Sequence, residues 1–408
     1  MRPARILIYS HDTFGLGHLR RCRTIAEALS DRFPELSVLI LSGSPIIGSF
    51  DFPERVDFVR LPGVIKLSNG DYIARSPGRG LNETIALRGA LIAQVADSFA
   101  PDLLIVDKEP LGLRGEMAKT LELLRTRGTR LVLGLRDILD DPVTLAREWD
   151  RKNAIPALEQ FYDEIWVYGC RDIYDPLDGL DLPKRARDTT VFTGYLRRHL
   201  PTFATPAPWP RLTERPFNLV TTGGGGDGDA VIDWALAAYE SESPPRDPGL
   251  FVLGPFMETT KQLAFTARAM KLGRDRVAAI IFDPHFEQIE ARAIGVIAMG
   301  GYNTFCEMLS LEKPAVIVPR TAPRREQLIR AERAEQLALS RMLRDPAEQS
   351  GKRSPEVMRQ AIDALAAQPK PRLGVVPRLL DGLEVICERT AELLAHETGA
   401  APLKQRRQ

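Results

Sequence analysis

"RILIYSHDTFGLGHLRRCRTIAEALS", residues 5–30, carries an apolar run, a glycine-bearing turn and an amphipathic segment, in that order. The run Ile6-Leu7-Ile8-Tyr9 lacks the alternation of a strand with one wet face, so it predicts a strand buried on both sides. Gly15 and Gly17 give the next residues backbone freedom, and from His18 the apolar positions recur at helical spacing. A strand that passes into a helix through a glycine turn is the opening unit of a doubly wound α/β sheet. In such sheets the loops at the carboxyl ends of the strands line the ligand crevice.

The rhythm repeats along the chain. "SVLILSG", "DLLIVD", "RLVLGLRD" and "EIWVYG" read as further strands, with helices near 82–98 and 113–127. Residues 192–216 interrupt it with five prolines and no apolar period, which suits a semi-rigid linker. The alternation restarts with "FNLVTTGGGG" and continues through "GLFVLG", "VAAIIFD", "IGVIAMGG" and "PAVIVPR", with helices near 229–240, 258–271, 285–293, 303–311 and 324–338. The expected class is α/β: two Rossmann-like doubly wound domains facing across a cleft. The expected boundaries are 1–195 and 217–375, joined by a linker over 196–216. A helix over 376–397 docks back across the domains, and residues 398–408 form a disordered tail.

Composition excludes other classes. The 55 Lys and Arg nearly cancel the 54 Asp and Glu, so no general field would hold the protein on nucleic acid. The four cysteines are widely spaced, without metal-ligand spacing, which suits a reducing compartment. No stretch approaches the length of a spanning helix, and the first apolar run is too short for a signal sequence, so the expected location is cytoplasmic. Residues 72–99 mix Arg75, Arg79 and Arg88 with Ile85, Leu87, Leu91 and Ile92. They read either as a core-facing helix with a basic rim or as a peripheral contact with an anionic membrane surface.

Three elements carry chemistry. His18 stands where the first turn enters its helix, as a base facing the cleft or as a residue satisfied by a backbone carbonyl; His11 is the less favoured base. The turn lacks the third glycine of a dinucleotide fingerprint. "LVTTGGGGDGDAVIDWAL", residues 219–236, places Thr222, Gly223, Gly224, Gly225 and Gly226 between a strand and a helix. Unhindered amides beside a positive dipole end make an anion site, and a diphosphate is the expected guest. No Gly-Lys-Ser/Thr closes it as a P-loop, and Asp227 and Asp229 are expected to cap the helix or face solvent. "MGGYNTFCEMLSLEKPAVIVP", residues 299–319, sets Gly300, Gly301, Asn303 and Thr304 at a helix start with Glu307 on its first turns, where a carboxylate can accept from a ribose diol or lie solvated.

In this order the pieces resemble the GT-B glycosyltransferases, and more narrowly the MurG-like family, which transfers N-acetylglucosamine from a uridine-diphosphate donor to a lipid-linked acceptor. "FGLGHLRRCRTIAEAL", "FTGYLRR", "TTGGGGDGDA" and the 299–319 stretch carry the resemblance, which covers most of the chain. It implies a nucleotide-sugar substrate and no separate cofactor or metal, with Glu307 holding the ribose. It also places Phe282 and Asp283 of "FDPHFEQI" beside the base, and Arg324, Glu326 and Gln327 of "RREQLIRA" near the donor sugar. The family carries paired glutamines where this chain has Glu326-Gln327; an ionised carboxylate only accepts, so the sugar is left open.

Inverting transfer needs a base at the acceptor hydroxyl. The resemblance makes that base His18, with Asp12 or Asp107 to orient it and Gly15, Gly17 and Arg20 on the acceptor loop. Asp137 is a further strand-end acid that also reads as a helix or turn cap. Arg20, Arg197, Arg324 and Arg325 are candidates for neutralising phosphate, although Arg20 and Arg21 also read as a solvated helix face. The acceptor is unidentified, with a lipid-linked one among the expectations, and the product would serve the cell envelope or a polysaccharide. Two alternatives stay open. One is a UDP-sugar 2-epimerase of the same architecture drawing on Asp107, Glu109 and Asp137; the other is a nucleotide-sugar-binding protein without chemistry.

Overall fold

The computed structural model describes residues 3–11, 16–66, 72–75, 78–200 and 209–398. The chain divides into two compact units, Met1–Leu196 with Arg378–Gln408, and Arg197–Pro377.

The first unit holds strands β1 (Arg5–Ser10), β2 (Ser37–Ser42), β3 (Val56–Arg60), β4 (Val64–Lys66), β5 (Tyr72–Ala74), β6 (Leu103–Asp107), β7 (Arg130–Arg136), β8 (Glu164–Tyr168) and β9 (Thr190–Phe192). Its helices are α1 (Gly17–Arg32), α2 (Leu81–Phe99), α3 (Ala118–Thr126), α4 (Pro142–Arg151), α5 (Ala154–Phe161) and α6 (Lys184–Asp188). Seven strands form one parallel sheet in the order β3-β2-β1-β6-β7-β8-β9. The aliphatic runs sit where their composition predicts. Leu7, Tyr9, Leu104, Val106, Leu131 and Leu133 are buried in one cluster with Ile92, Met117 and Leu121 from the covering segments. Each such side chain contributes about 1.5–3 kcal/mol on burial.

The second unit holds β10 (Asn218–Thr221), β11 (Gly249–Val252), β12 (Val277–Ile280), β13 (Gly295–Ala298), β14 (Ala315–Ile317) and β15 (Arg341–Met342). Its helices are α7 (Asp229–Glu240), α8 (Thr259–Lys271), α9 (Phe286–Arg292), α10 (Tyr302–Ser310), α11 (Glu326–Gln336) and α12 (Pro355–Ala364). Its parallel sheet runs β12-β11-β10-β13-β14-β15. In both units the winding therefore reverses beside the first strand, between β1 and β6 and between β10 and β13. Those two places are the switch points at which open α/β sheets take their ligands.

The last helix, α13 (Gly382–Thr398), belongs to the first unit, where it lies along α1. The Cys387 thiol points at the Ala28 carbonyl at 3.7 Å, and Arg389 pairs with Glu164. Residues 399–408, the expected tail, lie outside the described residues, as do 201–208 of the expected linker. The flanking linker residues have definite places: Arg198 is buried, and the Trp209 indole donates to Asp283 at 2.8 Å.

The helix expected over 113–127 begins only at Ala118, because a tight loop fills its first part. Gly112, Arg114 and Gly115 have φ of 70°, 51° and 85°, and a Cβ on Gly112 would stand 2.5 Å from Met117 Cγ. Glu116 anchors this loop from below. It receives Arg88 Nε and Nη2, each at 2.6 Å, and the Tyr9 hydroxyl at 2.7 Å, all buried. Arg88 therefore faces the core, and the basic-surface reading of residues 72–99 loses that charge. Among the described residues no helix is long and apolar enough to cross a membrane.

Candidate active site

In the first unit, β1 ends at Ser10 and β6 at Asp107, neighbours across the switch point. His18 is the second residue of α1, and its Nδ1 meets Asp107 Oδ2 in a very short contact. Arg21, one turn further along α1, donates Nε to Asp107 Oδ1 at 2.8 Å and Nη2 to both oxygens at 2.6 and 2.8 Å. Asp107 is thus an acceptor for His18, which fixes the proton on Nδ1 and leaves Nε2 as the basic nitrogen. Arg21 Nη2 also approaches Nδ1 to 3.1 Å; with both nitrogens protonated this is a close contact, not a bond.

The charges balance locally. Burial alone would push the Asp107 carboxyl up, yet Arg21 and His18 together bring it from 3.8 down to about 2. Burial, reinforced by Arg21 and Lys108, lowers His18 below the ordinary histidine value against the opposing pull of Asp107. The imidazole is therefore neutral at neutral pH, the state a base requires. Arg21 itself is only 2 % exposed, which corrects its reading as part of a solvated helix face. Sequence alone missed it because charge type says nothing about which of two adjacent arginines turns inward. Asp12 and Gly15 lie outside the described residues. Gly17 begins α1, and Arg20 is partly exposed on it. Asp137 is buried and accepts from the Tyr195 hydroxyl at 2.9 Å, so it braces the chain where the first unit ends.

His11 follows β1, its ring 5.5 Å from that of His18 in an edge-on arrangement. It is 3 % exposed, and its Nδ1 is buried with no hydrogen-bond partner among the described residues. Burial drives its pKa well below the usual value. It borders a cavity of about 400 Å³ together with Tyr72, Glu109, the loop Pro110–Gly115, and Arg151, Lys152 and Ala154. Lys152 Nζ spans both Glu109 oxygens at 2.9 and 2.8 Å. Burial opposes ionisation of Glu109, but Lys108 and Lys152 outweigh it and hold the carboxyl below its usual range.

In the second unit, Thr221 ends β10 and the glycine loop follows. Gly223 and Gly225 have φ of 66° and 84°, where side chains are strained. A Cβ on Gly225 would stand 2.3 Å from the Leu253 carbonyl oxygen, so the loop packs directly on the turn after β11. Two of its amides are engaged internally: Gly223 N–H reaches Thr221 Oγ1 at 3.2 Å and Gly225 N–H reaches the Thr222 carbonyl at 3.4 Å. The Thr222 hydroxyl donates to Leu253 O at 3.1 Å and so turns away from the loop's open side. Gly228 occupies the position before α7, and no side chain caps that helix. Of the two expectations for Asp227 and Asp229, the solvent-facing one holds, with side chains 46 % and 42 % exposed, and the capping one does not. Asp227 pairs with Arg320 Nε at 2.7 Å and Asp229 with Lys261 Nζ at 2.7 Å, because each has a cation closer than the helix amides.

Across the second switch point, Gly300 (φ 76°) and Gly301 lead into α10. Thr304 faces the glycine loop: its Oγ1 would lie 3.9 Å from a Cβ on Gly223. Two helix N-termini, those of α7 and α10, thus follow neighbouring strands. Asn303 Oδ1 accepts from Arg198 Nη2 at 2.7 Å, and Arg198 Nε stands 4.0 Å from Glu307 Oε1. Glu307 is 0 % exposed, so a ribose would reach it only if side chains above it moved; its solvated reading is excluded. Arg197, the arginine singled out from sequence, is exposed, and its neighbour Arg198 is the buried one.

The remaining donor residues are tied into the unit. Asp283 is braced by Trp209 and by the His285 amide at 2.7 Å, and Phe282 stands beside it, partly buried. Glu326 Oε1 receives Arg320 Nη2 at 2.7 Å, and Gln327 Oε1 receives the Arg320 amide at 3.1 Å. Arg320 therefore links the glycine loop to the start of α11. Arg324 and Arg325 precede α11, which begins at Glu326. Among the described residues no three His, Cys, Asp or Glu side chains gather as a metal site requires.

Comparison with solved structures places this architecture. The chain is similar to CalG4, the calicheamicin glycosyltransferase, at 17% identity and TM-score 0.57 over 98% of this chain and 100% of that one. It is also similar to UGT2 of Phytolacca americana, solved with UDP-2fluoro-glucose and pterostilbene, at 14% identity and TM-score 0.60 over 94% and 93%. The fold is that of the GT-B glycosyltransferases. MurG of Acinetobacter baumannii matches at 14% identity and TM-score 0.50 over 97% and 98%, so the narrower MurG-like reading gains nothing over the general one. No protein-family model matches the chain, and no curated protein is similar to it in sequence.

Proposed function

We propose that this chain moves a sugar from a nucleoside diphosphate, a uridine one by resemblance, to an acceptor hydroxyl, with inversion and with no metal in the reaction. The observation that carries the reading is the His18–Asp107 pair at the first switch point. The imidazole is neutral, its tautomer is fixed, and its Nε2 is left to take a proton. His18 Nε2 takes the acceptor proton while the acceptor oxygen bonds to the anomeric carbon. The bond from that carbon to the diphosphate oxygen breaks, and the leaving oxygen keeps the electron pair.

Asp107 holds the imidazolium so formed, and Arg21 is a positioning residue that acts through Asp107. In the second unit the glycine loop and the N-termini of α7 and α10 supply donors and positive dipole ends for the growing phosphate charge. Thr304, Asn303 and Arg198 line the approach to Glu307, which takes the ribose in this reading.

The test is product analysis. The parent protein with a UDP-sugar and a hydroxyl acceptor should yield UDP and a glycoside. His18→Ala should lose roughly 10²–10⁴ of turnover, the usual contribution of a positioned base, with an unchanged donor-induced rise in melting temperature. Full turnover in that variant would remove His18 from the chemistry. Interconversion of the donor sugar with no acceptor present would replace transfer by epimerisation.

A further inference from the structure

We infer that the cavity beside His11 accepts an anionic acceptor, one whose reacting hydroxyl sits on a molecule carrying a carboxylate or a phosphate. This rests on the glycosyltransferase reading for the word acceptor, but the anion preference rests on the cavity itself. At about 400 Å³ it lies toward the small end of ligand pockets and holds one sugar- or ring-sized molecule.

Its wall is unevenly charged. Arg114, Arg151 and Lys152 border it with a single carboxylate, Glu109. Glu109 is already matched by Lys152 and by Lys108, the latter at 3.4 Å. Arg114 and Arg151 have no carboxylate partner among the described residues; the side-chain bond recorded for Arg151 runs to the Arg147 carbonyl at 3.3 Å. An anion entering the cavity would therefore meet two uncommitted guanidinium groups, which match carboxylate and phosphate oxygens in pairs.

The backbone is shaped to present one of them. Arg114 sits at φ 51°, a left-handed conformation that strains a non-glycine residue, between Gly112 and Gly115 on the loop that Glu116 anchors. At the inner end, the buried His11 Nδ1, without a hydrogen-bond partner among the described residues, offers a polar contact for the same guest, 5.5 Å ring to ring from His18. The guest's hydroxyl would thus point to the histidines while its anion faces the arginines.

The test uses three probes with a common ring: glucose, glucuronate and glucose 6-phosphate. Their dissociation constants are measured by NMR titration at low salt on the parent and on an Arg114→Gln, Arg151→Gln double variant, both exposed positions. The parent should bind one or both anionic probes at least about tenfold tighter than glucose, and the double variant should lose that preference. A preference for glucuronate alone assigns a carboxylate, and for glucose 6-phosphate alone a phosphate. Equal binding of all three, no binding of the anions, or a preference that survives in the double variant would each overturn the inference. The two readings fail separately. UDP release with neutral acceptors and no anion preference would remove only this one, whereas anion binding without any nucleotide-sugar turnover would remove only the transferase.

Discussion

Replacing Arg21 with Met should cost more stability than any other single change around His18, and the loss should depend on pH. In the parent, Asp107 is 1 % exposed and takes three charge-assisted bonds from Arg21 at 2.6–2.8 Å. Removing the guanidinium leaves a buried carboxylate with only His18 beside it, a change worth about 3–5 kcal/mol. The sign follows from the pKa. A carboxyl held at about 2, against 3.8 when unperturbed, contributes about 2 kcal/mol at roughly 1.4 kcal/mol per unit. That contribution is present in full above 3.8 and is lost as pH falls toward 2. In the variant, burial acts on Asp107 without Arg21, so its pKa rises, and acidification relieves the unpaired charge. The assay is urea denaturation of parent, Arg21→Met and Arg21→Met/Asp107→Asn at pH 7.5 and at steps down to pH 3. We expect a large gap at pH 7.5 that narrows on acidification, and a double variant more stable than Arg21→Met alone. A gap under about 1 kcal/mol at pH 7.5, or a double variant no better than the single, would refute the argument that Arg21 exists here to hold Asp107 ionised.

Two other outcomes can be measured. The acid limb of kcat/KM should have its midpoint below the ordinary histidine value, since burial lowers His18 and a base works only when deprotonated. Asp107→Asn should move that limb further down while lowering the plateau, because it removes the group that favours the imidazolium; a limb that moves up would place the titrating group elsewhere. Gly225→Ala should weaken nucleotide binding by tenfold or more and lower the melting temperature, because φ 84° and a 2.3 Å approach to Leu253 O force the loop to shift. Isothermal titration with UDP reads the first effect, and unaltered affinity would separate the loop from the phosphate.

Much of the architecture was legible because aliphatic runs between helical periods admit few arrangements. The strands at 5–10, 103–107, 130–136 and 218–221 fall within their expected runs. Several segments that sequence did not place have a definite physical cause. The β4–β5 hairpin, β9 and β15 are two or three residues long, too short for any period, and α4 is amphipathic but begins at Pro142, the last residue of the turn-rich "RDILDDP". Residues 113–117 passed for helix because Leu113 and Met117 continue the helical spacing of Leu121 and Leu124, whereas Gly112 and the buried Glu116–Arg88 pair decide the shape there. For the candidate site, glycine and histidine were visible as residue types. What sequence could not supply was pairing: Arg21 on Asp107, Arg198 beside Glu307, and Arg320 on both Asp227 and Glu326 depend on which side chains turn inward.

The chain leaves the first unit at Leu196 and re-enters it at Arg378, and the two passages are stitched together. Tyr195 N–H bonds to the Leu379 carbonyl at 2.8 Å and Gly382 N–H to the Tyr195 carbonyl at 3.1 Å, while a Cβ on Gly194 would stand 2.6 Å from the Arg378 carbonyl oxygen. The order of synthesis therefore differs from the order of completion. On the ribosome the second unit has all of its strands before α13 emerges, and until then the α1 surface that α13 covers, including the Ala28 carbonyl met by Cys387, faces water. The unit whose translation begins first is completed only after the second has been synthesised, and the helix that carries His18 acquires its outer packing only then.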